Sequence, residues 1–272
     1  MSDSPLPPSS PPDWLTALAE RARAADGQPP FSDQALVDLA HGTKRLVAID
    51  DVAAAIVSHE EAELVVDPHS RGRGLGAALV QQVARPGLLV WSHGDLPAAR
   101  ALAARFGAEP VRTLLQLRAP VAPRVAPAFE TFDVGVDEQE WVQLNARVFA
   151  FHPEQGSVSV DDVRALEREP WFDASAFLLA RHEGRMSGYC WLKIEPPESP
   201  AHDSVGEIYV LGTDRPGTGE GAALLDAGLA RLAERGIRTA ALYVEADNAA
   251  ALHLYEKRGF TRHTIDVQYR LP

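Results

Sequence analysis

Asn248 and Tyr255 stand seven residues apart in the stretch 243–260. Seven residues are close to two helical turns, so on a helix both side chains share one face and can meet the same ligand. A tyrosine with its ordinary pKa of about 10 is still neutral at pH 7 and has a proton to give. A second feature is the run Arg71, Gly72, Arg73, Gly74, Leu75, Gly76, followed by a helical pattern over Ala77–Val83. Gly74 and Gly76 let the backbone approach a ligand closely, and the new helix points free N–H groups outward, a geometry that binds phosphate or pyrophosphate. A third is the less regular loop Arg215, Pro216, Gly217, Thr218, Gly219, Glu220, Gly221. Counted from Asp214, its two key positions are Gly221 and Ala223; counted back from the helix they are Gly219 and Gly221. In either register Glu220 puts a carboxylate near a pyrophosphate.

The flanking patterns show which elements must hold these groups. Ala240–Val244 is short and apolar and predicts a buried strand. Asp247 or Asn248 caps the helix that carries Tyr255, Lys257 and Arg258 suit its C-terminal dipole, and Gly259 stops it. Upstream, helices are expected over Asp13–Ala25 and from Ser32 or Asp33 to Ala40. A hairpin follows at Leu46–Ile49 and Ala53–Ser58, then a strand at Glu63–Val66 ahead of the first loop, a strand at Leu88–Trp91 and a helix at Leu96–Arg105. After residue 128 the pattern recurs. It runs through helices at Trp141–Phe149 and Asp161–Glu167, strands at Ala176–Ala180, Gly188–Ile194 and Glu207–Thr213, a helix at Ala222–Arg235 and a last strand at Thr264–Leu271. Gly107 and Gly259 lie 152 positions apart in matching places, and Asp67 matches Asp214. At that spacing Tyr255 falls opposite Ala103 and Asn248 opposite Leu96, so the copies differ where chemistry would occur. The expected organisation is a Pro/Ser-rich tail over residues 1–12, a first α/β unit over 13–118, a Pro-rich linker over 119–128 and a second unit over 129–272.

Composition narrows the class. The 272 residues are 46% hydrophobic and 24% charged, with a formal net charge of −12. That balance describes a folded soluble chain and lacks the basic face that nucleic acid or an anionic membrane would need. No apolar run reaches membrane-spanning length and no signal peptide is visible, which points to the cytoplasm. The single cysteine, Cys190, sits in an apolar run between Tyr189 and Trp191 and reads as a strand residue.

The string from Asp247 to Phe260 and the loop 71–76 resemble the GNAT acyltransferases, the Gcn5-related N-acetyltransferases. The resemblance implies two tandem α/β (α+β) GNAT folds, each a mixed, mostly antiparallel sheet flanked by helices, with acetyl-CoA as co-substrate and no metal. It also implies that Tyr255 protonates the departing thiolate and that Glu207, opening the strand before the second loop, is the base. Coenzyme A would lie against Leu64, Val65 and Val66 and the loop residues Gly72, Arg73, Gly74, Leu75, Gly76 and Ala77. In the second copy it would lie against Leu211, Gly212 and Thr213, against Thr218, Gly219, Glu220, Gly221 and Ala222, and along Asn248, Ala249, Ala250, Ala251, Leu252 and His253. The family commonly has a strand bulge near Val210–Thr213, which Gly212 would permit.

Gly206–Gly212, Tyr243–Asn248 and the string from Phe149 through His152, Pro153, Glu154 and Gln155 to Gly156 are similar to the actinobacterial tandem-GNAT family that makes mycothiol. That family acetylates the amine of a small cysteinyl pseudo-disaccharide. The likeness places Glu154, Lys193, Glu207 and Tyr243 at the acceptor, with Asp33 where the family has a longer acid. Carboxylates and a lysine suit a cationic amine on a polyhydroxyl ligand. Trp171 and Phe172 are expected in the core. The whole reads as a monomer whose second copy is catalytic and whose first binds acetyl-CoA without turnover. The rivals are acetylation of another amine, such as a peptide N-terminus or an antibiotic, and a non-catalytic acetyl-CoA sensor.

Overall fold

The computed structural model describes residues 11–150, 155–194 and 205–272. The chain divides into two compact units, neither of which is one continuous stretch. The first takes residues 1–115, 245–247 and 264–272, the second 116–244 and 248–263. The expected division at 119–128 is linear; the contacts divide the chain otherwise. Residues 1–10 of the expected tail lie outside the described residues.

The first unit opens with α1 (Asp13–Asp26) and α2 (Asp33–Ala40), followed by β1 (Arg45–Ile49), β2 (Ala53–Val57) and β3 (Glu61–Val66). Then come α3 (Leu75–Val83), β4 (Leu89–His93), α4 (Pro97–Phe106) and β5 (Glu109–Pro120), which begins in this unit. Ser32 starts α2 by accepting the Ala35 N–H at 3.1 Å, so it, not Asp33, is the cap. β1, β2 and β3 pair antiparallel, and β3 pairs β4 parallel. β2 is buried along its whole length because both of its faces are covered. Ala53, Ala55 and Val57 pack with Leu79, Val80 and Val83 of α3. Ala54 and Ile56 pack with Leu15, Leu18 and Ala22 of α1 and Ala35 of α2. The alternation of small and branched residues lets helices close on both sides of one strand.

The second unit contains β6 (Glu130–Thr131), α5 (Glu138–Val148), α6 (Val160–Leu166), β7 (Phe177–His182), β8 (Arg185–Ile194), β9 (Val205–Thr213), α7 (Glu220–Glu234), β10 (Thr239–Glu245) and α8 (Ala249–Glu256). α6 starts in a reciprocal box between Ser159 and Asp162. β6, β7, β8 and β9 are antiparallel and β9 pairs β10 parallel. One face of this sheet carries an aromatic core. Phe177 stacks on Trp191 at 4.4 Å and on Phe132 at 4.5 Å, while Trp141 meets Trp191 edge-on at 5.7 Å. Each such pair adds about 0.5–1.5 kcal/mol beyond burial. α7 covers the other face through Leu224, Leu225, Leu229 and Leu232, all fully buried. Cys190 lies on that face, fully buried, and burial pushes its thiol up to about 12, so it is the inert strand residue the sequence predicts.

The last strand, β11 (Thr261–Arg270), pairs antiparallel with β4 from Asp266 opposite His93 to Arg270 opposite Leu89. It thereby completes the first unit's sheet. β5 was not visible in the sequence: its first eight residues are exposed or half-buried without a clean two-residue period, and only Leu117 and Ala119 near its end are buried.

Candidate active site

In each unit the parallel strand pair opens after three residue pairs. In the second unit Val205, Gly206 and Glu207 face Thr239, Ala240 and Ala241. The ladder ends there, with Glu207 at the base of the opening. Up to Tyr209 the side chains of β9 alternate, so Glu207 and Tyr209 share the half-open face that packs toward the aromatic core. The pairing of β8 with β9 slips between Trp191 and Leu192: Trp191 faces Val210, Leu192 faces Ile208, and Tyr209 is the extra residue. The bulge expected at Gly212 is therefore at Tyr209. Gly212 has a different role. A Cβ there would sit 2.8 Å from the Tyr189 hydroxyl oxygen and 3.0 Å from Val148 Cγ1, so its missing side chain makes room for the tyrosine beneath it.

Lys193 on β8 stands directly opposite Glu207, and its ammonium lies 5.3 Å from the Trp171 ring centroid. Trp171 packs at 5.2 Å from Tyr209 and 5.9 Å from Trp191. Trp171 packs against the core as expected, and the face of its ring also carries Lys193. Phe172, as expected, packs edge-on against Trp191. Burial raises the Tyr209 pKa, and the charge of Glu207 adds to the rise. Tyr209 was missed in the sequence, although the two-residue period through Glu207 puts it on the same face. Tyr243 on β10 is 46% exposed, and its hydroxyl accepts a hydrogen bond from Gln116 Nε2 at 2.6 Å.

Asn248 caps α8 by accepting the Ala251 N–H at 3.1 Å, which selects it over Asp247. Tyr255 lies seven residues on, buried, with its ring 5.7 Å from Phe260. Burial, with a smaller effect from the Cys190 side, holds its pKa well above the ordinary tyrosine value, so the phenol keeps its proton across the working pH range. Arg258 anchors the far end of α8 to α7 through paired bonds to Asp226 at 2.9 and 2.8 Å and one to the Ala222 carbonyl at 3.1 Å.

The two Gly-rich loops have the same geometry at the helix start. Gly74 precedes α3 at φ 83° and Gly219 precedes α7 at φ 85°, and both are left-handed. Side chains rarely adopt that conformation, which explains the glycine at both places. Gly219 and Gly221 therefore match Gly74 and Gly76, and the register through Gly221 and Ala223 is excluded. Glu220, the first residue of α7, turns its carboxylate inward. Oε1 accepts from Thr213 Oγ1 at 2.6 Å, and Oε2 accepts from Ser187 Oγ at 2.9 Å and Arg215 Nη1 at 3.3 Å. The carboxylate that the sequence puts in the anion loop is thus taken up by Thr213, Ser187 and Arg215.

In the first unit the ladder runs from Glu61 opposite Leu89 to Glu63 opposite Trp91. Beyond it lies a cavity of about 460 Å³ bordered by Leu64, Val65, Val66, Gly72, Gly74, Leu75, Gly76, Ala77, His93 and Ala103. All the expected first-unit cofactor residues except Arg73 border it. Arg73 is exposed with one bond to the His69 carbonyl at 3.4 Å. Of the remaining candidates, Asp33 is the first residue of α2, and His152, Pro153 and Glu154 lie outside the described residues. Just past them, the Gln155 carbonyl accepts from buried Asn145 Nδ2 at 2.5 Å, and Asn145 Oδ1 accepts from the Tyr189 hydroxyl at 2.7 Å. Among the described residues no cluster of three or more His, Cys, Asp or Glu is placed to hold a metal, and no helix is long and apolar enough to cross a membrane.

A family model described as the acetyltransferase (GNAT) family matches residues 141–260. A mycothiol acetyltransferase of Geodermatophilus obscurus is 45% identical over 286 residues, covering 94% of this chain and 92% of its own. One from Thermobispora bispora is 44% identical and covers 94% of both chains. Among solved structures, a GCN5-related N-acetyltransferase from Sphaerobacter thermophilus superposes with a TM-score of 0.73 at 24% identity, over 95% of this chain and 92% of that one. It shares the fold.

Proposed function

The chain belongs to the mycothiol acetyltransferases of the GNAT family, and on that premise we propose that it moves the acetyl group of acetyl-CoA to the cysteinyl amine of Cys-GlcN-inositol, completing mycothiol. The observation that carries the chemical part of the reading is the second unit's open strand pair, with Glu207 at its base. Acetyl transfer needs a neutral amine, donors for the tetrahedral oxyanion and a proton for the thiolate. Glu207 takes the proton of the acceptor ammonium, directly or through water. The amine then attacks the thioester carbon, and β9 backbone N–H groups beyond the bulge receive the developing oxyanion. The attacking nitrogen gives up its second proton to solvent as the intermediate collapses and the C–S bond breaks; the Tyr255 hydroxyl supplies the proton that turns the CoA thiolate into a thiol and is reprotonated from solvent. Lys193 and Tyr243 contact the hydroxyl-rich part of the acceptor, as does Glu154.

Acetyl-CoA lays its pyrophosphate on the N–H groups around Gly219 and Gly221, and Asn248 and its helix flank the pantetheine. In the first unit the cavity behind Gly74 takes a second acetyl-CoA without turnover, because Ala103 stands where the acid would be. The protein acts as a cytoplasmic monomer with no metal and no nucleic-acid partner, in keeping with its net charge of −12. The test is turnover: purified protein with acetyl-CoA and a panel of amines, following CoA thiol release. Cys-GlcN-inositol should show the highest kcat/KM. A peptide N-terminus or aminoglycoside used as well would sink the assignment of substrate, and no release with any amine would favour a sensor.

A further inference from the structure

We propose that Glu220 is the positioning residue of the second unit's cofactor loop. It holds residues 214–219 in the shape that receives pyrophosphate and does not touch the ligand itself. This rests on the reading that acetyl-CoA binds at that loop.

The second loop lacks the braces of the first. In the first unit, two ion pairs brace the loop. Arg71 makes a double bond-pair to Asp26 at 2.7 and 2.6 Å and also bonds the Val66 carbonyl at 3.2 Å. Asp67 accepts from Arg21 at 2.7 Å and from the His69 N–H at 2.9 Å. With Gly219 matched to Gly74, the residue standing in place of Arg71 is Pro216, which can make no such bond. The residue standing in place of Leu75 is Glu220. The first unit's Leu75 is an apolar wall residue packed on the core, so the two loops exchange the job of the brace between positions.

The Glu220 carboxylate spans three segments. Ser187 belongs to β8, Thr213 ends β9 and Arg215 lies in the loop, and all three donate to it. Thr213 Oγ1 also accepts the Arg215 N–H at 3.0 Å, which joins the loop backbone to the same cluster. The Glu220 side chain is 11% exposed. Its seat is cut for it: a Cβ on Gly188 would lie 2.8 Å from Glu220 Oε1, so β8 has a glycine where the carboxylate rests. An acid at this position also suits the N-terminal end of α7. Its charge is offset by Arg215, so the loop's outward N–H groups remain a site for an anion.

The experiment is steady-state kinetics of Glu220→Ala, Glu220→Gln and Gly219→Val, with thermal melting as a control for folding. Turnover reports the catalytic cofactor site alone, whatever binds in the first unit. Glu220→Ala should raise KM for acetyl-CoA by roughly tenfold, while acceptor KM and kcat at saturating acetyl-CoA stay within about threefold of wild type. Glu220→Gln, which keeps the acceptor oxygen for Thr213 and the shape against Gly188, should recover most of the loss. An unchanged acetyl-CoA KM in Glu220→Ala, while Gly219→Val raises it, overturns the positioning role alone. So does a parallel fall in melting temperature, kcat and both affinities that glutamine does not repair, since that is a purely structural effect. An unchanged acetyl-CoA KM in both Glu220→Ala and Gly219→Val overturns the cofactor assignment of the loop, and this inference with it.

Discussion

Glu63 and His93 meet 3.2 Å apart just where β3 and β4 stop pairing, at the edge of the first unit's cavity. His93 Nδ1 lies 3.4 Å from Asp266 of β11, and Glu63 also accepts from the N–H and hydroxyl of Ser32 at 2.6 and 2.7 Å. Burial alone would lower the His93 pKa, but the hydrogen bonds to Asp266 and Glu63 and their charges outweigh it and push it up to about 9. Glu63 is held below its ordinary value against the same burial cost, by His93 first and Ser32 second. The folded pKa of His93 is thus above its unfolded value of about 6.5. The pair's stabilisation is complete below that value and is lost as pH rises through about 9. A shift of this size amounts to about 3 kcal/mol. Urea unfolding followed from pH 6 to 10 should show the first unit weakening over that window, and His93→Gln should flatten the profile. An equally steep profile in the variant would assign the loss to other groups.

Gly212→Ala should destabilise the second unit by about 1–3 kcal/mol, the usual cost of forcing an extra carbon into a packed interior. The added Cβ would lie 2.8 Å from Tyr189 Oη and 2.9 Å from its Cζ. Chemical denaturation measures it, and adding Tyr189→Phe should return part of the loss by removing the oxygen. No loss in the single variant would mean that β9 relaxes freely.

These two cases show what was legible in the sequence and what was not. The order of most elements, the glycine stop of α4 at Gly107 and the cap of α8 at Asn248 follow from short-range patterns, so they could be read. Glycines in strands could be marked as special, but only the packing distinguishes a bulge from a close approach. The bulge falls on Tyr209, a residue with no unusual propensity for one, because the cross-strand register with β8 decides it. The Glu220 brace was hidden for the same reason. Its three partners come from two strands and a loop, and the sequence shows only a carboxylate in an anion loop. The pairing of β11 with β4 connects segments more than 170 positions apart, beyond any local signal.

Gly74→Val should empty the first unit's cavity of acetyl-CoA while acetylation largely survives. The residue sits at φ 83°, where a β-branched side chain is strained, and the strain distorts the loop that begins α3. Equilibrium binding should fall from two acetyl-CoA per chain to one. Loss of turnover comparable to that from a Tyr255 change, in a folded protein, would refute the division of labour between the units.

Lys193→Met should raise KM for Cys-GlcN-inositol by about tenfold, the worth of roughly 1.4 kcal/mol. Methionine keeps an apolar stem against Trp171, so the change removes chiefly the ammonium that lies 5.3 Å from that ring. Acetyl-CoA KM should stay near wild type, because Lys193 is assigned to the acceptor alone. Equal rises in both KM values would place Lys193 in a general structural role.

Tyr255→Phe isolates the acid. The ring is buried against Phe260, so phenylalanine keeps the packing and deletes only the hydroxyl. The deleted group matters at one step: the tetrahedral intermediate expels a thiolate, and that thiolate becomes a thiol only if a proton arrives. Burial keeps the tyrosine protonated well past neutral pH, so the donor is always loaded, though it is a weaker acid than in water. Losing a general acid costs roughly 10²–10⁴-fold in kcat, or about 3–5 kcal/mol at the barrier. Thiolates leave fairly well unaided, so the expected fall is at the low end, near 10²-fold. Acetyl-CoA KM should hardly move, because the hydroxyl acts after binding. Since the folded tyrosine does not ionise in the working range, the basic limb of the pH–rate profile should keep its midpoint in the variant. A kcat within about threefold of wild type would show that the proton comes from elsewhere.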